Sequence, residues 1–238
     1  SARRLTAADE DTLVVMSSFK NTADAPPLAR RERPAAHPDS PDGLLVLLHG
    51  RGADKNDLFP VLDLIDPDHR LHAVTLEAPF QPQGPPGWFW YTVKIVGAPE
   101  RDEFHASMRL LHRDIDQLLE QLGLGHDRLV IGGFSQGAVM AIATAFAPGR
   151  PRPAAVLPWS GFVPTVEHWK IDPDAAAGVP VLLTHGALDP VIEVDFGHNA
   201  RALLEHVGAD VTYREPAIGH ELDMETVLAA RELVGQIR

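Results

Sequence analysis

One serine in this chain stands where a hydroxyl could become a nucleophile. Residues 132–138 read GGFSQGA, which matches G-x-S-x-G as Gly133, Phe134, Ser135, Gln136 and Gly137. The pentad follows a strand-like run, RLVI, and precedes an apolar stretch, VMAIATAFA. In that setting the serine is expected on a strained strand-to-helix turn, with small neighbours letting the two elements approach and expose its hydroxyl. A glycine pentad can also arise by chance or serve a plain turn; its placement between strand and helix is what favours a nucleophile.

A serine hydroxyl is a weak nucleophile at neutral pH and needs a base, which in turn needs an acid to orient it. For a serine on such an elbow the expected chain order is Ser, then Asp or Glu, then His. The run VPVLLTHG is followed by ALDPVIEVD, which places Asp189 in the first loop beyond a strand, where open α/β sheets gather their ligand sites. Glu193 and Asp195 are rivals, and Asp195 reads better as an N-cap. After the last strand-like run, DVTYREPAIGHELD supplies His220 as the base. His198 and His206 fall on a helix instead, and His185 reads as a loop-packing residue.

An oxyanion formed by attack on a carbonyl calls for two backbone N–H donors, one from the residue after the nucleophile and one from the loop after an earlier strand. These are Gln136 and, in LLHGRGADKNDL, Arg51. The alternative for Gly50-x-Gly52 is a nucleotide turn, but the third glycine of G-x-G-x-x-G is missing.

The elements needed to position these residues are legible in the hydrophobic pattern. Strand candidates are 12–19, 44–49, LHAVTLE, RLVIGG, AAVLPWS, VPVLLTHG and DVTYREP. LLVLLH is apolar throughout, as in a strand covered on both faces. Between the strands lie helical stretches: KNDLFPVLDLI, which Pro60 should weaken or kink, a helix at about 195–207 and another at about 221–236. The clearest helix spans 101–122, where Phe104, Met108, Leu111, Ile115, Leu118 and Leu122 recur at alternating spacings of four and three, with Gly123 as its C-cap. Residues 77–99, rich in proline, read as a structured loop without regular elements. Strands alternating with helices imply a single α/β domain over 1–238 with a mostly parallel central sheet and helices on both faces. Within it, 1–42 forms an N-terminal strand and a proline-rich connection.

Composition narrows the function. The net charge of -12 disfavours a nucleic-acid partner, and the one dense basic tract, Arg30, Arg31 and Arg33, reads as solvated loop. With no cysteine there is neither disulfide framework nor thiolate nucleophile. His105 and His112 lie seven apart on one helix without an evident third ligand, so they read as surface residues and no metal site is expected. No apolar run is long enough to span a bilayer, so no stable membrane insertion is expected, and the expected location is the cytoplasm.

Five motifs in order, LLHGRGADKNDL, GGFSQGAVMA, WSGF, HGALDPVI and IGHEL, resemble the phospholipase/carboxylesterase family of α/β-hydrolases, which includes the acyl-protein thioesterases. They run from about residue 44 to 222, leaving 1–42 outside the common core. The resemblance implies an α/β-hydrolase fold and a serine hydrolase that needs no cofactor and acts on a small-molecule ester or thioester. It carries the nucleophile onto Ser135, the acid onto Asp189, the base onto His220 and the oxyanion amides onto Arg51 and Gln136. It also puts Trp88, Phe89 and Trp90 at the border of the acyl pocket and makes a homodimer plausible. The chain departs from the family at Trp90, since the corresponding stretch there usually reads Trp-Phe-Asp. Esterase action on short to medium acyl chains is the first expectation. Thioesterase or lysophospholipase action on long chains is the alternative, and a non-catalytic binding protein of the same fold is a lower one.

Overall fold

The computed structural model describes residues 25–81 and 87–237. The expected strand at 12–19 lies outside the described residues. The elements, in chain order, are β1 (Arg30–Arg33), β2 (Leu44–Leu48), α1 (Phe59–Ile65), β3 (His72–Leu76), β4 (Val93–Ile95), β5 (Ala98–Pro99), α2 (Arg101–Leu122), β6 (Leu129–Phe134), α3 (Gln136–Ala145), β7 (Ala155–Trp159), α4 (Pro173–Ala176), β8 (Pro180–Thr184), α5 (Val194–His206), β9 (Asp210–Arg214) and α6 (Met224–Gly235).

The central sheet has the order β1-β3-β2-β6-β7-β8-β9, with β1 antiparallel to β3 and every other pairing parallel. All five residues of β2 are wholly buried, because its two faces feed two separate cores. Leu44, Val46 and Leu48 pack with α2, α3 and α5 on one face. Leu45 and Leu47 pack with α1 and α6 on the other. A period of two therefore divides an unbroken apolar run between two helical layers.

Helix α2 has the expected bounds. The Glu100 side chain accepts from the Glu103 amide at its start, and Gly123 ends it in the left-handed region at φ 66°. In α3 all ten residues are buried, which explains why its sequence is apolar all round.

Several expectations are corrected. Pro60 sits in the first turn of α1, where a missing N–H costs nothing, rather than kinking the helix. Residues 77–99 include a small hairpin, β4 paired with β5. The basic tract is not solvated loop but the edge strand β1, paired with β3. Within it, Arg33 is buried and ion-paired with buried Asp66, and its guanidinium also donates to the carbonyls of Leu62, Asp66 and Leu71. A period of two puts Arg31 and Arg33 on the same face: Arg31 stays exposed over the Phe59 ring, and Arg33 is buried where Asp66 and three carbonyls satisfy it. Asp195 is not an N-cap: α5 starts after Glu193, and Asp195 lies in its first turn. His112 is part-buried rather than on the surface, and its Nε2 lies 3.0 Å from the Thr144 carbonyl, tying α2 to α3.

No helix among the described residues is long and apolar enough to cross a membrane. Also among the described residues, no group of three His, Cys, Asp or Glu side chains could hold a metal ion.

Candidate active site

The parallel sheet aligns its strand ends, so loops distant in sequence meet at one edge. Leu48 pairs with Gly133, Phe134 with Trp159, Trp159 with Thr184 and Thr184 with Arg214. The segments bearing Arg51, Ser135, Asp189 and His220 leave this edge from β2, β6, β8 and β9.

Ser135 joins β6 to α3 at φ 56°, ψ -118°, a conformation that L residues rarely adopt. Flanking glycines make the turn feasible. A Cβ on Gly133 would lie 2.6 Å from the Leu48 carbonyl oxygen, and one on Gly137 would overlap that same oxygen. The Ser135 amide is anchored to the Trp159 carbonyl at 2.9 Å.

His220 Nε2 lies 3.0 Å from Ser135 Oγ, and its Nδ1 lies 2.7 Å from Asp189 Oδ2. A carboxylate only accepts, so Nδ1 carries the proton and Nε2 is left to receive the serine hydroxyl's. The other oxygen of Asp189, Oδ1, accepts from the amides of Val191 and Ile192 at 2.8 and 2.9 Å. Burial opposes charge on Asp189. The hydrogen bonds from His220, Ile192 and Val191 outweigh it and hold the carboxyl below its usual range.

The loops carrying acid and base are knitted together: the Ala187 amide donates to the Pro216 carbonyl and that of Leu188 to Ile218. Beneath them His185, fully buried, has Nε2 2.8 Å from the Ile192 carbonyl and so fixes the turn that holds Asp189. The rival residues lie elsewhere in the fold. Glu193, Asp195, His198 and His206 are exposed, with His198 paired to Glu215.

Among the described residues, the Arg51 and Gln136 amides have no hydrogen-bond acceptor. The Gln136 amide is one of the orphan donors at a helix start. Gly50, just before Arg51, packs on the nucleophile: a Cβ there would sit 3.4 Å from Ser135 Cβ. Two free N–H groups beside a hydroxyl hydrogen-bonded to an imidazole can stabilise an oxyanion on an acyl carbon bonded to that serine.

The aromatic run divides. Trp88 and Phe89 are half-buried and pin their loop. The Trp88 backbone pairs with Ala53 in the oxyanion loop, and Phe89 pairs with and stacks on Phe80 at 5.6 Å. Trp90 is a correction: it is wholly buried, so it cannot border the acyl pocket directly. Its indole packs 5.5 Å from the His49 ring and donates to the His49 carbonyl at 2.9 Å. The Gln136 side chain was not anticipated either. Its Oε1 accepts from the Trp90 amide at 3.1 Å and its Nε2 donates to the Tyr91 carbonyl at 2.8 Å. Sequence reasoning also passed over Phe134, whose ring lies 4.8 Å from the His220 ring. The pentad's variable positions were the available signal for Gln136 and Phe134.

Known proteins agree with this architecture. The sequence profile described as phospholipase/carboxylesterase matches residues 34–236, so the common region begins before residue 44 and takes in part of the stretch expected to lie outside it. An acyl-protein thioesterase 1 from Debaryomyces hansenii is 27% identical over 214 residues, covering 81% of this chain and 90% of its own length. The crystal structure of esterase PE8 superposes with a TM-score of 0.75 at 28% identity, covering 90% of this chain and all of the other. A Bacillus cereus carboxylesterase has the same fold at a TM-score of 0.76 and 20% identity, covering 94% and 99%. Fold, motif order and a profile spanning most of the chain agree, and the chain belongs to the phospholipase/carboxylesterase family of α/β-hydrolases.

Proposed function

We propose that this protein is a serine carboxylesterase cleaving esters of short to medium acyl chains through an acyl-enzyme on Ser135. The observation that carries the reading is the hydrogen-bonded series Ser135 Oγ, His220 and Asp189, at 3.0 and 2.7 Å. His220 Nε2 takes the hydroxyl proton as Oγ attacks the acyl carbonyl. The Arg51 and Gln136 amides hold the oxyanion, and the imidazolium returns its proton to the departing alcohol. Water then attacks the acyl-enzyme with the same histidine as base, releasing the acid and restoring Ser135.

Ser135→Ala removes the nucleophile and should lower turnover of p-nitrophenyl butyrate by at least about 10³-fold while leaving the fold intact. A fluorophosphonate probe should label Ser135 in the folded wild type. Wild-type turnover in the variant, or no adduct, would reject the reading; no adduct would favour a binding protein of this fold.

Support for short to medium chains comes from Trp88 and Phe89, half-buried in the loop paired with the oxyanion segment, where their bulk would shorten a groove. A second reading, action on thioesters, is favoured by the acyl-protein thioesterase relative. The oxyanion hole and base serve both bond types. A panel of p-nitrophenyl esters from two to sixteen carbons beside matched acyl-CoA thioesters separates them. The proposal expects the highest kcat/KM at eight carbons or fewer on oxygen esters; a palmitoyl or thioester optimum overturns it.

A further inference from the structure

The two candidate oxyanion donors come from different elements, Arg51 from the loop after β2 and Gln136 from the first residue of α3. Useful stabilisation requires both N–H groups to be placed within a few tenths of an ångström of where the charge develops. Trp90 is bonded to both sides. Its indole N–H reaches the carbonyl of His49, two residues before Arg51, and its backbone N–H reaches the side chain of Gln136 itself. Its own carbonyl accepts from Ser107 Oγ at 2.6 Å, which ties the brace to α2. Every polar group of this wholly buried residue is thus engaged.

On the β2 side, His49 completes the support. The Ala78 amide donates to Nε2 at 3.0 Å, so the ring proton is on Nδ1, which lies 2.7 Å from the Gly50 carbonyl. In a trans peptide the C=O and N–H point in opposite directions. Holding the Gly50 carbonyl against His49 therefore leaves the Arg51 N–H on the opposite side, with no protein acceptor among the described residues. Burial keeps His49 neutral by lowering its pKa, which preserves the acceptor that the Ala78 amide needs.

We propose that Trp90 is a positioning residue for the oxyanion hole: its indole and backbone N–H groups hold the Arg51 turn and Gln136 in register. The inference rests on the serine-hydrolase reading above. It separates Trp90, which is bonded to both sides, from Trp88, whose backbone pairs with Gly52 and Ala53 on the β2 side, and from Phe89, which pairs with Phe80.

Trp90→Phe keeps a buried ring and removes the indole donor. Replacement of Trp90 by benzothienylalanine, which exchanges the N–H for sulfur at nearly constant shape, makes the same change if the phenylalanine variant folds poorly. Active sites are counted by fluorophosphonate titration, and kinetics are read per labelled site on p-nitrophenyl butyrate. The expected result is a fall of roughly 10- to 100-fold in kcat and kcat/KM together, with KM within about twofold. Affinity for a trifluoromethyl ketone, which mimics the tetrahedral state, should weaken in proportion to kcat/KM. Gln136→Met should act in the same sense. Unchanged turnover per labelled site with only lower thermal stability, or a raised KM with normal kcat, overturns the proposal. Wild-type protein whose Ser135 is not labelled overturns the serine-hydrolase reading instead, so the two failures are distinguishable.

Discussion

At the residue scale the elbow illustrates how close packing and reactivity are joined. Ser135 is held at positive φ by a bond to the Trp159 carbonyl, and the position of the Leu48 carbonyl leaves no room for a side chain at 133 or 137. Gly137→Ala forces a methyl group against that oxygen, so either α3 or β2 must move. The expected cost is about 1–3 kcal/mol of stability, read from the urea midpoint, together with a larger proportional loss of esterase turnover because the donor beside Ser135 moves too. Unaltered stability and turnover would show that the turn relaxes freely. The pentad's glycines and serine were legible in sequence because type and spacing alone specify them. The role of the Gln136 side chain was not, since its partners Trp90 and Tyr91 are 46 and 45 residues away.

At the scale of elements, the contact between α2 and α3 carries a pH dependence. His112 is part-buried against the Thr144 carbonyl, and burial, then the nearby Arg150 charge, lowers its pKa to about 4 from the usual 6.5. Below about pH 6.5 the unfolded chain takes up a proton that the folded chain refuses. Stability from this residue is therefore complete above pH 6.5 and is lost as pH falls towards 4, by roughly 3 kcal/mol at most. In His112→Gln, the difference in unfolding free energy between pH 7 and pH 4 should shrink by an amount of that order; an identical pH dependence would remove His112 as its source. Periodicity revealed α2 with correct bounds, because a two-sided helix of 22 residues repeats its apolar stripe six times. It could not reveal β1. Four residues reading RRER carry no apolar signal, and they form a strand because the β3 edge accepts them and Asp66 neutralises Arg33.

At the scale of the whole molecule, the candidate triad is assembled from three strand ends, and its histidine lies in a segment between β9 and α6 with no helix or strand of its own. That segment is held to the acid loop by a few backbone bonds at the edge of the fold, whereas Trp90 and Trp159 are buried in the core. Local opening should therefore precede global unfolding. Esterase activity is expected to fall at lower urea than tryptophan fluorescence changes. Coincident midpoints would mean that the loops open only with the sheet. The alternation of strands and helices, the order Ser, Asp, His and the free-amide positions were determined by sequence alone, since each follows from local pattern and from the rule that parallel strands bring their ends to one edge. Only the tertiary structure decided which of the three adjacent aromatic residues is buried and which stay part-exposed. Trp88, Phe89 and Trp90 are adjacent and chemically alike, but burial depends on what the rest of the chain packs against them. His49 and Gln136 reach Trp90 from separate strand ends, and their hydrogen bonds turn it into the core.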